Sequence, residues 1–129
     1  MVAPPRRLRR VLVVDDDRSV GVATRALLHS TGDYQVEVFT EARAALARLQ
    51  EARFDVVISD VNMPALTGAE LHQRLEALDP GAARRFIFIY GDPSEGEPII
   101  RRTGTFGLAK PFHADALLAV VEAAAQRVV

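Results

Sequence analysis

Apolar residues in this chain follow two alternating patterns: compact runs of three or four, and longer stretches in which they return every three or four positions. Val11-Leu12-Val13-Val14, Val56-Val57-Ile58 and Phe86-Ile87-Phe88-Ile89 are continuous, too short for helices, and rich in β-branched or aromatic side chains. Such runs mark strands buried on both faces. Tyr34 to Phe39 alternates loosely as a further strand, and Thr105 to Ala109 is a weak fifth.

The stretches between them read as helices. Val20, Ala23, Thr24, Leu27 and Leu28 form one stripe, closed by Gly32. Thr40 is placed to cap a second helix bearing Ala42, Ala45, Leu46 and Leu49. Leu66 to Leu78 carries Leu71, Leu75 and Leu78 on one face, and Pro80-Gly81 after it reads as a turn. Gly91, Pro93, Gly96 and Pro98 punctuate the next segment, so a short helix beginning near Glu97 is expected, with Pro98 in its first turn. The last helix runs from Ala114 to Arg127, with Leu117, Val120, Val121 and Ala124 on its stripe.

Strands alternating with helices imply parallel strands joined by right-handed crossovers: an α/β fold with a doubly wound, five-stranded parallel sheet in a three-layer sandwich. The expected strand order is 2-1-3-4-5. The first and third strands are then neighbours, and the crevice where the winding reverses opens between their carboxyl ends.

Length and composition narrow the possibilities. The chain has 129 residues, 49% of them apolar and 26% charged, which suits one domain with one core. A formal net charge of -1 gives no global attraction to nucleic acid or anionic membrane. There are no cysteines, so any metal must be a hard, oxygen-bound one. Arg6-Arg7-Leu8-Arg9-Arg10 has the charge order of a signal peptide, but the apolar run behind it stops after four residues at three aspartates. Residues 1–9 are read as a basic, solvated tail, residues 10–129 as the folded core, and the location as cytoplasmic. Neither nucleic acid nor membrane is expected as a direct partner.

The candidate chemistry sits where the apolar runs end. Asp15 and Asp16 follow the first run, Ser59-Asp60-Val61-Asn62-Met63-Pro64 follows the third strand, and Lys110-Pro111-Phe112 follows the fifth. In the expected topology these groups meet at one sheet edge. Each alone is ordinary, since aspartates often close turns and cap helices; their joint placement at strand ends is what points to a site. Asp17 serves simply to begin the first helix. Clustered carboxylates repel one another unless a cation is bound, and Mg2+ suits an all-oxygen set. Asp16 and Asp60 are the expected direct ligands, Asp15 a water-mediated one, and the backbone carbonyl of Asn62 the remaining protein donor. A carboxylate in such a site can attack phosphorus to give an aspartyl phosphate, and Lys110 supplies a mobile cation for the phosphoryl oxygens. His29, His72 and His113 show no ligand spacing and read as exposed or structural. Asp92, before a proline, reads as a loop former at the border of the site.

From Val11 to about Arg127 the chain resembles the receiver domains of two-component response regulators. The acidic pair Asp15-Asp16, the context Asp60 to Pro64 with Thr67-Gly68 beyond it, and Lys110-Pro111-Phe112 carry the resemblance. It implies a flavodoxin-like fold and a signalling switch rather than an enzyme, with slow self-dephosphorylation at most. Asp60 would take a phosphoryl group from a partner histidine kinase or phosphotransfer protein within a phosphorelay, and the acidic residues would hold magnesium. A downstream target or output domain would be met through the fourth helix, fifth strand and last helix. Gly91-Asp92-Pro93 and the short fourth unit are most similar to receivers attached to hybrid kinases. No output domain follows Val129, which fits either a single-domain regulator or an excised receiver.

Two positions depart from that family. Tyr90 stands where it keeps a Ser or Thr at the end of the fourth strand, and Gly107 stands where it has a bulky residue three positions before the lysine. A phenolic hydroxyl at the end of a rigid ring does not substitute for one borne on Cβ. The expectation is that the Tyr90 ring fills the room left at Gly107; a ring directed into the acidic pocket would refute it. Two other functions compete. A pseudo-receiver would keep the fold without the phosphate cycle, as Tyr90 and Gly107 suggest. A haloacid dehalogenase-like phosphohydrolase would read Asp15 to Ser19 as D-x-D-x-[ST], with Asp15 as nucleophile and Asp17 as acid/base, but the late position of Lys110 and the short chain oppose it.

Overall fold

A computed structural model describes residues 7–128. Five strands, β1 (Arg9–Val14), β2 (Tyr34–Phe39), β3 (Val56–Asp60), β4 (Phe86–Tyr90) and β5 (Phe106–Ala109), form one parallel sheet in the order 2-1-3-4-5. Six helices connect and cover them: α1 (Arg18–His29), α2 (Ala42–Glu51), α3 (Gly68–Leu78), α4 (Pro80–Arg84), α5 (Pro93–Thr103) and α6 (Ala114–Gln126).

The continuous apolar runs are explained by burial on two sides. Leu12, Val14, Val57, Phe86 and Phe88 face a core layer built with Ala45, Leu49, Leu71 and Leu75. Their neighbours Val11, Val13, Val56, Ile58, Ile87 and Ile89 face the opposite layer, built with Leu28, Leu117 and Val121. Successive strand residues alternate faces, so both sets must be apolar.

Three expectations about elements are corrected. Pro80-Gly81 is no turn: Asp79 accepts a hydrogen bond from the Ala82 amide and caps the five-residue helix α4. Helix α5 begins at Pro93, four residues before Glu97, because Asp92 caps it by accepting from Ser94 N and Oγ; Pro98 therefore lies inside the helix. Thr40 does not cap α2; Glu41 occupies that position without a side-chain capping bond.

The basic segment expected as a tail falls partly outside the described residues. Arg9 and Arg10 belong to β1, where Arg10 reaches Glu37 and lies over the Phe54 ring, while Arg9 pairs with Glu122. Arg7 pairs with Asp55. At the same edge of the sheet Arg127 donates to the carbonyls of Arg84 and Gly104, and Arg85 Nε donates to the Arg127 carbonyl. This edge holds the amino ends of the strands; Asp15, Asp16 and Asp60 lie at the other.

Candidate functional site

The register of β1 against β3 sets the site. Val14 lies opposite Ser59, so the next residues, Asp15 and Asp60, emerge side by side at the carboxyl edge. Both share the strand face of Val11, Val13, Val56 and Ile58. Asp15 is 1% exposed and Asp60 9%, whereas Asp16 is exposed on the following loop. One carboxylate oxygen from each of Asp15, Asp16 and Asp60 lies within 4.8 Å of the others.

Lys110 closes this cluster from the far side. It follows β5, two strand positions or about 10 Å from β3, and its long stem spans that gap. The ammonium sits 3.1 Å from Asp60 Oδ2 and 3.3 Å from Asp15 Oδ2. The Lys110 amide donates to the Tyr90 carbonyl at 2.8 Å, which fixes the start of the stem, and the Lys110–Pro111 peptide bond is cis. The other oxygens accept from the main chain: Asp17 N–H donates to Asp15 Oδ1 at 2.9 Å and Asn62 N–H to Asp60 Oδ1 at 3.1 Å.

Burial pushes the Asp15 carboxyl above its ordinary pKa and the Asp60 charge adds to that, against the Asp17 amide and the Lys110 charge, which favour ionisation. Burial works against the Lys110 charge, but hydrogen bonding and attraction to Asp60 and Asp15 outweigh it and hold the ammonium above its usual range. The site is therefore an anionic edge with one cation clamped in it. Asn62 also turns its side-chain amide outward to donate to Glu95 Oε2, in the first turn of α5.

Close packing behind Asp60 depends on Gly68. A Cβ there would overlap the Asp60 carbonyl oxygen and lie 3.1 Å from Val61 Cα, and the Gly68 amide donates to the Val61 carbonyl. Thr67 caps α3 through a reciprocal box with Glu70, a Thr-x-x-Glu spacing visible in the sequence. Asp17 accepts from Ser19 N and Oγ as the cap of α1, so it begins that helix as expected and is not poised as an acid/base. His72 is buried, its Nε2 3.1 Å from the Ala83 carbonyl and its ring edge-on to Phe86. His29 Nε2 accepts from the Val36 amide.

Tyr90 continues the face of Phe86 and Phe88, toward α5. Its ring lies between Gly96 and Gly107: a Cβ on Gly96 would overlap Tyr90 Cγ, and one on Gly107 would lie 3.2 Å from Tyr90 Cε1 and overlap Ile100 Cδ1. The ring thus packs at the β4–β5 face beside α5, together with Ile100.

Residues 11–122 match the sequence model of the response regulator receiver domain. The chain belongs to the response regulator receiver family. The transcriptional regulatory protein FixJ of Bradyrhizobium diazoefficiens is 33% identical over 114 residues, covering 88% of this chain and 55% of that protein. The virulence sensor protein BvgS of Bordetella bronchiseptica is 35% identical over 130 residues, covering 95% of this chain and 10% of that protein. The chain thus spans from about a tenth to about half the length of these curated relatives. The chemotaxis protein CheY4 of Vibrio cholerae superposes with a TM-score of 0.82 at 34% identity, covering 92% of this chain and 99% of that one. As a receiver domain the chain is a signalling module of two-component systems, and its aspartate cluster fits a phosphorylation site. Among the described residues no helix is long and apolar enough to cross a membrane.

Proposed function

We propose that this receiver domain is a cytoplasmic switch in which Asp60 accepts a phosphoryl group from a histidine kinase or a phosphotransfer protein. The observation that carries the proposal is the Lys110 ammonium held between Asp60 and Asp15, within the carboxylate cluster. A carboxylate oxygen of Asp60 attacks phosphorus; the new O–P bond forms as the P–N bond to the donor imidazole breaks, and the imidazole leaves with the electron pair and takes up a proton. Lys110 follows the phosphoryl oxygens as their negative charge comes to rest, and the Asn62 amide steadies the carboxylate it already touches.

The donor set fits magnesium: three carboxylates converge and there are no cysteines. Asp16 and Asp60 would hold the ion directly, Asp15 through water and Asn62 by its backbone carbonyl. When bound, the ion neutralises phosphoryl charge that the single Lys110 cannot offset alone. Output to a downstream partner would use the α5, β5 and α6 face.

Incubating the full chain with acetyl phosphate and Mg2+ tests the proposal. Hydroxylamine-labile phosphate should form at up to one per chain and vanish in Asp60→Asn. Uptake that survives in that variant would place the chemistry elsewhere. A second reading, an interaction module that does not cycle phosphate, is favoured by the ring of Tyr90 at the position where receivers keep a hydroxyl. It predicts no labile phosphate in the unmodified chain.

A further inference from the structure

Two observations at the rim of the site point the same way. The side chain at the end of β4 is committed to packing: Tyr90 fits a slot bounded by Gly96 of α5 and Gly107 of β5, beside Ile100. A group wedged in this way has no short hydroxyl to offer a phosphoryl oxygen. Asn62, in contrast, touches both parts that must communicate. Its amide N–H donates to Asp60 Oδ1, and its side-chain Nδ2 donates to Glu95 Oε2 at 2.5 Å, which ties the loop after β3 to the first turn of α5.

We propose that the Asn62–Glu95 hydrogen bond, rather than a hydroxyl at the end of β4, carries the state of Asp60 to helix α5, with Glu95 as the positioning residue. The proposal rests on the reading of Asp60 as phosphoacceptor. Its physical basis is competition and charge. An acyl phosphate on Asp60 places additional negative oxygens on one side of Asn62, while the Glu95 carboxylate stays on the other. The Asn62 amide has two hydrogens to donate, and charged phosphoryl oxygens are strong acceptors for them. Like charges on either side of one small amide repel, so the phosphorylated form favours release of Glu95. The first turn of α5 then keeps its Asp92 cap but loses its tie to the loop.

Hydrogen exchange of the full chain, with and without acetyl phosphate and Mg2+, tests this, with the amides of β1 and β3 as internal controls of folding. In the natural sequence phosphorylation should speed exchange in the first turns of α5 by about five-fold, the weight of one hydrogen bond. Glu95→Ala should show that faster exchange already without phosphate and gain nothing further on phosphorylation, while still taking up hydroxylamine-labile phosphate. Glu95→Gln, which keeps an acceptor but not the charge, should retain the tie and respond less. Tyr90→Phe should respond as the natural sequence does. A Glu95→Ala chain whose α5 still responds, or a phosphorylated natural chain whose α5 does not, overturns the proposal while leaving Asp60 as phosphoacceptor. Absence of labile phosphate in the natural chain overturns both.

Discussion

At the scale of single residues, the site depends on side chains that are absent as much as on those present. Gly68 lets the start of α3 lie against the Asp60 carbonyl, a backbone atom that cannot yield to a methyl group. Gly68→Ala should therefore cost about 1–3 kcal/mol by overpacking and slow phosphate uptake at Asp60; urea melts and acetyl phosphate kinetics would check both effects. Gly107 and Tyr90 are a second such case, since bulk at one is matched by space at the other. Gly107→Phe should destabilise by about 1–3 kcal/mol, because the new ring meets Ile100 and Tyr90. Adding Tyr90→Thr should recover a large part of that loss, so a double-mutant cycle should give a coupling of about 1 kcal/mol or more. A cycle with no coupling would mean that the two rings do not share the slot.

At the scale of elements, the strands and the longer helices were legible because burial writes itself into periodicity. Strands β1, β3 and β4 are covered on both sides and so read as unbroken apolar runs. Two of the three corrected helix readings share one cause. Pro80-Gly81 reads as a turn and Asp92-Pro93 as a loop, yet in both places an aspartate caps a helix and the proline after it opens the first turn, where a missing N–H costs nothing. The strand-end aspartates and Lys110 were legible because topology alone carries them to one edge. The Asn62–Glu95 contact and the burial of His72 were not, since they depend on loop path and on how α3 and α5 rotate over the sheet. Pro98 remains a weak point within α5: Pro98→Ala restores a helical donor and should raise stability by about 1–3 kcal/mol, seen as a later urea midpoint. His72 ties α3 to the end of α4, and burial holds its imidazole below the ordinary value of 6.5, against the Ala83 carbonyl. The unfolded chain then binds the proton first, so stability should fall as pH drops below about 6.5. His72→Gln should flatten that dependence between neutral and mildly acidic pH; an unchanged slope would exclude His72 as its source.

At the scale of the whole molecule, three carboxylates gather at one edge of a domain that is nearly neutral overall. A cation that binds this edge only in the folded chain must stabilise it, by about 2.7 kcal/mol at a hundred times its dissociation constant. Magnesium should therefore raise the melting temperature beyond what sodium chloride of equal ionic strength does, and Asp16→Asn should reduce the gain. Equal melting in the two salts would remove the cluster as a cation site. The opposite edge has a different use. Arg7 is fastened there to Asp55, and Arg127 to the carbonyls of Arg84 and Gly104. A tether joined near residue 7 or residue 128 would accordingly hang the domain like a lamp from its ceiling mount, with the clustered carboxylates facing into the room and open to whatever protein approaches.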